Sequence, residues 1–406
     1  MSSMHQVPFE KHDTIRLGLI GAGERGRYLL HELLACEGVQ VKAVADVFSA
    51  AVEKASQLVT SAGQCAPSAY TGSQAWQQLL EDDLDLVYIA TPWDTHTPYA
   101  LAAMQAGKHV GLEVPAALTV EECWQLVEVS EATRRHCVML ENCCYDYWET
   151  LAKRMARAGL LGTLVHAECA YIHDLRQVLL SDYSEGLWRR QGHQTRNGNL
   201  YPTHGLGPVA QIFDIGGADA FDYLVSMSSL PAGLAEFCDQ TLPDGDPRRG
   251  EQYINGDMNV SLIRTKLGRT IVLQHSTVSS RPYDRLFMVS GTRGTFRDYP
   301  PRLYLEGQGA PEEWLSLDAY RAEWEDPLWK QYGEQARKLG GHGGMDFIMN
   351  YRLVQIVREG LPPDSDVYDA ADWSVPGPLS EQSVAQRSAP VKFPDFRRYP
   401  IDALRV

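Results

Sequence analysis

The stretch LIGAGERGRYLL, residues 19–30, carries Gly21, Gly23 and Gly26 in the spacing G-x-G-x-x-G. Alone, that spacing is weak. Here the apolar run IRLGLIGAG leads into it, a helical pattern leaves it, and Asp46 ends the next apolar segment 20 residues beyond Gly26. A strand, a tight glycine turn and a helix N-terminus form a seat for a pyrophosphate. The glycines let the backbone come close, the helix start faces the negative charge, and the acid accepts from a ribose hydroxyl. An acid at that place repels a 2′-phosphate, so NAD is expected over NADP.

Outward from this turn, residues 15–142 alternate apolar strands with helical patterns, which predicts a parallel sheet. VQVKAVADV, LDLVYIATP, KHVGLEVP and HCVMLENCC read as further strands, with helices expected near 25–36, 49–62, up to Gly107 and after Thr119. Thr119 with Glu122 three residues on makes a capping box. A helix near 147–158 and a turn at Gly159–Gly162 lead out. From Leu164 the strands lengthen and read as an antiparallel sheet, with hairpins at Leu267–Gly268 and Gly291–Gly294. One long loop, 175–200, interrupts them, and loops of that length usually serve a site. MDFIMNYRLVQIVREGLPP predicts an amphipathic helix and PVKFPDFRRYP a proline-punctuated tail. The predicted architecture is α/β: a doubly wound parallel sheet at 1–143, then an α+β domain with an open, mostly antiparallel sheet at 144–406.

Bulk composition agrees with two domains in 406 residues. A formal net charge of -15 disfavours nucleic acid and anionic membranes as partners. No apolar run reaches the roughly 18–20 residues of a membrane span. The first residues show no basic region followed by an apolar core and a cleavage site, so a cytoplasmic protein is expected. The eight cysteines contain no C-x-x-C pair and are expected to be reduced, buried thiols. An open sheet with an exposed face favours pairing of subunits, so a homo-oligomer is expected.

Two further segments bear on chemistry. ATPWDTHTPYA follows the third apolar strand of this reading, where ligands bind in open α/β sheets, so Trp93 and His96 could line the nicotinamide side. GKHVGLEVPAA places Val114 between Glu113 and Pro115, a position with nothing to move a proton.

The fingerprint, the TP-x-x-x-H loop and the G-K-H-V-x-x-E-x-P strand resemble the Gfo/Idh/MocA oxidoreductases. Those enzymes usually carry Glu-Lys-Pro where this chain has Glu113-Val114-Pro115, which argues against a sugar dehydrogenase that releases NADH. EVPAALTVEECWQLVE, MLENCCY, HDLR, RNGNLYPTHGLGPVA, RPYDR, GGHGGMDFIM and DVYDAADWSVPGPLSEQSV together resemble glycoside hydrolase family 109, whose founding activity is α-N-acetylgalactosaminidase with tightly held NAD.

This resemblance implies a retaining glycosidase in which NAD is a recycled reagent. Oxidation at carbon 3 acidifies the hydrogen on carbon 2, the aglycone is eliminated from carbon 1, water adds back, and the alcohol is restored. Tyr201 and His204, three residues apart in NLYPTHG, are the expected catalytic pair: histidine titrates near neutral pH, and a phenol can exchange a proton with an alkoxide. By matching positions, Tyr171, Tyr201, Tyr283 and His173 are expected to contact the sugar. Gly21, Gly23, Glu24, Arg25, Asp46, the span Trp93–His96, Glu113, Val114, Asn142 and His204 are expected at the cofactor, with Trp188 and Arg189 closing over it.

Other readings stand beside this one. Arg176, Arg189, Arg190 and Arg196 could pair the sulfonate of a sulfoquinovoside. A sugar dehydrogenase and a non-catalytic sugar sensor are the other classes. No metal is expected, because His166, His173, His204 and His275 lack the close helical spacing of a metal site. No clear acidic pair supports the direct two-carboxylate mechanism.

Overall fold

The structure is a computed structural model that describes residues 2–398; Tyr399 and Pro400, the end of the expected tail, lie outside the described residues. The chain divides into two compact units: Met1–Asp146 with Pro327–Ala371, and Tyr147–Asp326 with Asp372–Val406.

The first unit is built on six parallel strands, β1 (Ile15–Ile20), β2 (Val39–Asp46), β3 (Ser68–Thr71), β4 (Leu86–Ile89), β5 (His109–Leu112) and β6 (Cys137–Met139). Their order is β3-β2-β1-β4-β5-β6. The order reverses between β1 and β4, and in such sheets that switch point is where a ligand lies. Strands covered on both faces must be apolar throughout, as β4 is: LVYI is buried at every residue. The helix Val120–Thr133 begins with the expected capping box, both halves of which form.

Three local differences have plain causes. β3 and the helix Ala75–Leu80 escape the sequence pattern because SAYT is a short, mostly exposed edge strand without apolar alternation. The strand in HCVMLENCC ends at Met139, and Asn142–Tyr145 turn as a 3-10 helix, so Cys143 and Cys144 are both buried rather than on opposite faces. All eight cysteines are free thiols, seven of them buried and Cys65 exposed. The helix Met345–Glu359 belongs to the first unit and is buried over most of its surface, not along one stripe.

The second unit carries an eight-stranded sheet in the order β13-β12-β11-β7-β10-β9-β8-β14. Its strands are β7 (Leu164–Ile172), β8 (Phe221–Ser228), β9 (Asn259–Thr265), β10 (Thr270–Ser276), β11 (Met288–Gly291), β12 (Gly294–Arg297), β13 (Arg302–Leu305) and β14 (Val391–Lys392). Neighbours run antiparallel except β7 and β10, which are parallel and set Tyr171 opposite His275. Both expected hairpins form; Gly268 turns the first with φ +89. The loop 175–200 is not structureless: it folds into short helical turns at Arg176–Leu179, Ser184–Leu187 and Arg189–Thr195. The helix Thr203–Phe213 packs so close to β7 that a Cβ on Gly205 would fall 2.7 Å from the Ala170 nitrogen. That contact seats His204, one residue earlier, beside the end of β7.

Candidate active site

The first unit holds a glycine cradle at the end of β1. A Cβ on Gly26 would lie 1.9 Å from the Gly21 carbonyl oxygen, and one on Gly21 would lie 2.4 Å from that of Ala90. Only glycine fits either place. A Cβ on Gly23 would meet nothing within 4 Å, so this residue opens onto free space at the start of the helix Glu24–Leu33, as a pyrophosphate seat requires. Glu24 is exposed in the first turn of that helix. Asp46, at the carboxyl end of β2, accepts from the Ala22 N–H at 2.7 Å and the Phe48 N–H at 2.9 Å. Each carboxylate oxygen has acceptor capacity beyond one bond, so the tethered acid can still take a ribose hydroxyl. These residues fit a dinucleotide.

The loops after β4 and β5 carry the residues expected to hold the second mononucleotide half. Trp93 opens the helix Trp93–Gln105 and is buried. The buried His96 ring lies between two carbonyls, Pro115 O at 2.7 Å from Nδ1 and Thr91 O at 2.8 Å from Nε2, and ties the two loops together. A neutral ring donates to only one of them; burial lowers its pKa even though both carbonyls favour the protonated form. Glu113, just past β5, accepts from Arg25 Nε at 2.6 Å and from the N–H of the buried Val114 at 3.1 Å.

Arg25 also grips Asp346, through Nη1 to Oδ2 at 2.6 Å and Nη2 to Oδ1 at 3.2 Å. Asn142 donates to Asp346 Oδ1 at 2.6 Å, and His342 Nδ1 lies 2.7 Å from Oδ2. Asp346 is 1 % exposed, in the first turn of the helix Met345–Glu359, where the helix dipole favours an anion. Burial opposes its charge, but Arg25 and His342 more than offset that and hold the carboxyl well below the usual range. Nearby Glu32 is instead pushed up to about 8 by burial and then by the charge of Asp346. Arg25, Glu113 and Asn142 were expected at the cofactor from the sequence, whereas Asp346, the acid that joins them, was not.

The second unit holds an aromatic cluster of its own. Tyr171, the next-to-last residue of β7, has its ring 4.6 Å from that of Tyr201 and 5.3 Å from that of His204. Tyr201 and His204 are 4.8 Å apart, although Tyr201 stands before the helix, whose first residue is Thr203. The Tyr171 hydroxyl and His173 Nδ1 are 3.1 Å apart, and Tyr283 lies 5.1 Å from His173 and 6.1 Å from Tyr171, ring to ring. All five expected residues thus meet. Two residues not expected support them: Arg285 donates to the Tyr283 hydroxyl at 3.1 Å and to buried Glu149 at 3.0 Å. The RPYDR block held that signal, since an arginine two residues from a tyrosine on an extended segment shares its face.

Arg189 is buried within this cluster, its charge 5.0 Å from the Tyr201 ring centre and 5.9 Å from that of Tyr171, and it pairs with Glu185. Trp188, half-buried, caps the same short helix. Burial, and then the neighbouring His193 and Arg189, lower the His275 pKa well below its ordinary value. The other loop arginines are also paired: Arg176 with Asp174 at 2.8 Å, Arg190 with Glu251 at 2.9 Å, and Arg196 with Glu381. Charges already neutralised are poor seats for a sulfonate, which weakens the sulfoquinovoside reading.

Known proteins fit both parts. Residues 15–141 match the model of the oxidoreductase family with an NAD-binding Rossmann fold, and residues 145–400 match that of the glycosyl hydrolase 109 C-terminal domain. The chain is similar to a glycosyl hydrolase family 109 protein of Solibacter usitatus, 54% identical over 400 residues that cover 98% of this chain and 91% of the relative. A glycosyl hydrolase family 109 protein of Saccharopolyspora erythraea is 50% identical, covering 98% and 86% respectively. Among solved structures, a levoglucosan dehydrogenase in complex with NADH and levoglucosan superimposes with a TM-score of 0.72 at 20% identity, covering 94% of this chain and 100% of that one. At that identity the likeness speaks for the fold.

Proposed function

The chain belongs to glycosyl hydrolase family 109 as an NAD-dependent glycosidase, and from that premise we propose a retaining enzyme that hydrolyses α-N-acetylgalactosaminides with tightly held, recycled NAD. The observation that carries this reading is the convergence of Tyr171, Tyr201, His204 and Tyr283, from three separate stretches of chain, on one cluster.

When bound, NAD supplies a reversible hydride exchange with carbon 3 of the sugar. The protein supplies the proton carriers. Tyr201 and His204 are the catalytic pair: between them they take the carbon 3 hydroxyl proton as the ketone forms and return it at the end. The ketone makes the carbon 2 hydrogen acidic. A basic group of the cluster takes that proton, the electron pair moves toward carbon 1, and the aglycone departs with the bonding pair and the proton passed on to it. Water then adds at carbon 1, carbon 2 regains a proton, and the configuration is retained. Tyr171, His173 and Tyr283 hold the sugar, and the buried Arg189 charge favours any negative charge that develops on the phenol oxygens.

Nitrophenol release from p-nitrophenyl α-N-acetylgalactosaminide, with no net NADH and with deuterium entering carbon 2 in heavy water, is the expected result. Stoichiometric NADH would point to a dehydrogenase and overturn the reading. Its setting is cytoplasmic, and its assembly is a homo-oligomer paired through the outer sheet face, where Met227 faces Val260 and Val225 faces Leu262 across β8 and β9. Among the described residues, no helix is long and apolar enough to cross a membrane.

A further inference from the structure

We propose that Asp346 is a positioning residue for the nicotinamide half of the cofactor cradle: its carboxylate fixes Arg25, and through it Glu113, together with the amide of Asn142. This rests on NAD occupying the cradle built by Gly21, Gly23 and Gly26.

The geometry is specific. A carboxylate has about four acceptor directions, and the two oxygens of Asp346 take four partners: Arg25 Nη1 and His342 Nδ1 on Oδ2, Arg25 Nη2 and Asn142 Nδ2 on Oδ1. The two-pronged grip fixes the plane of the guanidinium, and in that plane Nε donates to Glu113. Glu113 follows β5 and Asn142 follows β6. Both therefore stand at the carboxyl edge of the second half of the sheet, whereas Asp46 marks the adenosine half at the end of β2. Among the described residues, the hydrogen-bond partners of Asp346 are Arg25, Asn142 and His342, and Asp46 is not one of them.

The surroundings reserve this place for the acid. A Cβ on Gly341 would lie 2.9 Å from Asp346 Oδ2 and 2.0 Å from Glu32 Oε1, so the glycine loop leading into the helix leaves room for both carboxyl groups. The Arg25 side chain is one-quarter exposed while Asp346 is fully enclosed, so the arginine is the reachable end of the pair and the aspartate its anchor. An anchor of this kind loses its effect when it can no longer hold both prongs.

The two halves of the dinucleotide separate this role from a general structural one. NAD carries the nicotinamide; ADP-ribose lacks it. Cofactor-stripped Asp346→Asn and Asp346→Ala proteins are titrated with each ligand by calorimetry. The expected result is at least a tenfold rise in Kd for NAD, larger for alanine, with the Kd for ADP-ribose unchanged within about twofold. In an Arg25→Ala background, adding Asp346→Asn should raise the NAD Kd no more than about twofold further. Equal weakening of both ligands, or an unchanged NAD Kd in a folded variant, overturns the proposal. Should the Asp346 variants not fold, Asn142→Ala and Arg25→Lys take their place: each should weaken NAD at least fivefold and spare ADP-ribose, and unchanged NAD binding in both overturns it. A wild-type chain that binds neither ligand would instead sink the cofactor reading itself.

Discussion

The guanidinium of Arg189 stands 5.0 Å from the ring centre of Tyr201 and is anchored by Glu185, four residues earlier. A cation over an aromatic face contributes about 0.5–2 kcal/mol, more when water is excluded. The same charge steadies negative charge on Tyr171 and Tyr201. Arg189→Met keeps the stem and removes the charge; kcat/KM should fall roughly 10- to 100-fold with an unaltered far-ultraviolet circular dichroism spectrum. Lysine should recover part of the loss, since it restores the charge without the fork. Wild-type kcat/KM in the methionine variant would remove Arg189 from the mechanism.

His204 and Tyr201 have a sharper test. A positioned acid or base contributes about 10²- to 10⁴-fold. His204→Ala and Tyr201→Phe should each lower kcat by that order while the purified proteins retain NAD, measured by absorbance after denaturation. Loss of the coenzyme from His204→Ala would contradict the assigned role.

Acid stability has a local source in the first unit. Phe9 packs 4.7 Å from the ring of His109 and 4.0 Å from that of His136. Burial, then the charge of its neighbour His136, lowers His109 to about 3; burial, outweighing the Pro8 carbonyl, lowers His136 to about 4. Both values lie below the unfolded-state value near 6.5, so the unfolded chain binds more protons there and stability rises with pH. The contribution is complete above about pH 6.5 and is lost as pH falls toward 4, at about 1.4 kcal/mol per unit and per histidine. The melting temperature should therefore drop between pH 7.5 and pH 5.5, and His136→Phe should drop less. Equal losses in both proteins would assign the acid sensitivity elsewhere.

The outer face of the second unit's sheet bears on assembly. Val260, Leu262 and Met227 are 36%, 51% and 66% exposed, and neighbouring Val225 and Val272 share the face. A contiguous apolar face of this kind marks an interaction surface. Leu262→Glu should shift the protein to the monomer in sedimentation experiments and leave its melting transition intact. A wild-type protein already monomeric at high concentration would refute pairing through this face.

Sequence reading reached far where residues act locally. Gly21, Gly23, Gly26 and Asp46 declare the first sheet because a strand, turn and helix must occur in immediate succession, and the capping box of Thr119 and Glu122 is equally self-contained. Tyr201 and His204 were legible as a pair because three residues separate them. Glu149 and Arg285 were not, since 136 positions lie between them and nothing in either segment names the other. Asp346 was hidden for the same reason, and also because an acid in the first turn of a helix ordinarily faces solvent. The partners of Arg190 and Arg196 were equally unreadable, because Glu251 and Glu381 come from distant parts of the chain.

The first unit is assembled from two stretches with the whole of Tyr147–Asp326 inserted between them. During synthesis the glycine turn therefore leaves the ribosome early, while the acid that orients Arg25 leaves late. A chain interrupted before Pro327 would carry the glycine turn and Arg25 without the aspartate that pairs with Arg25.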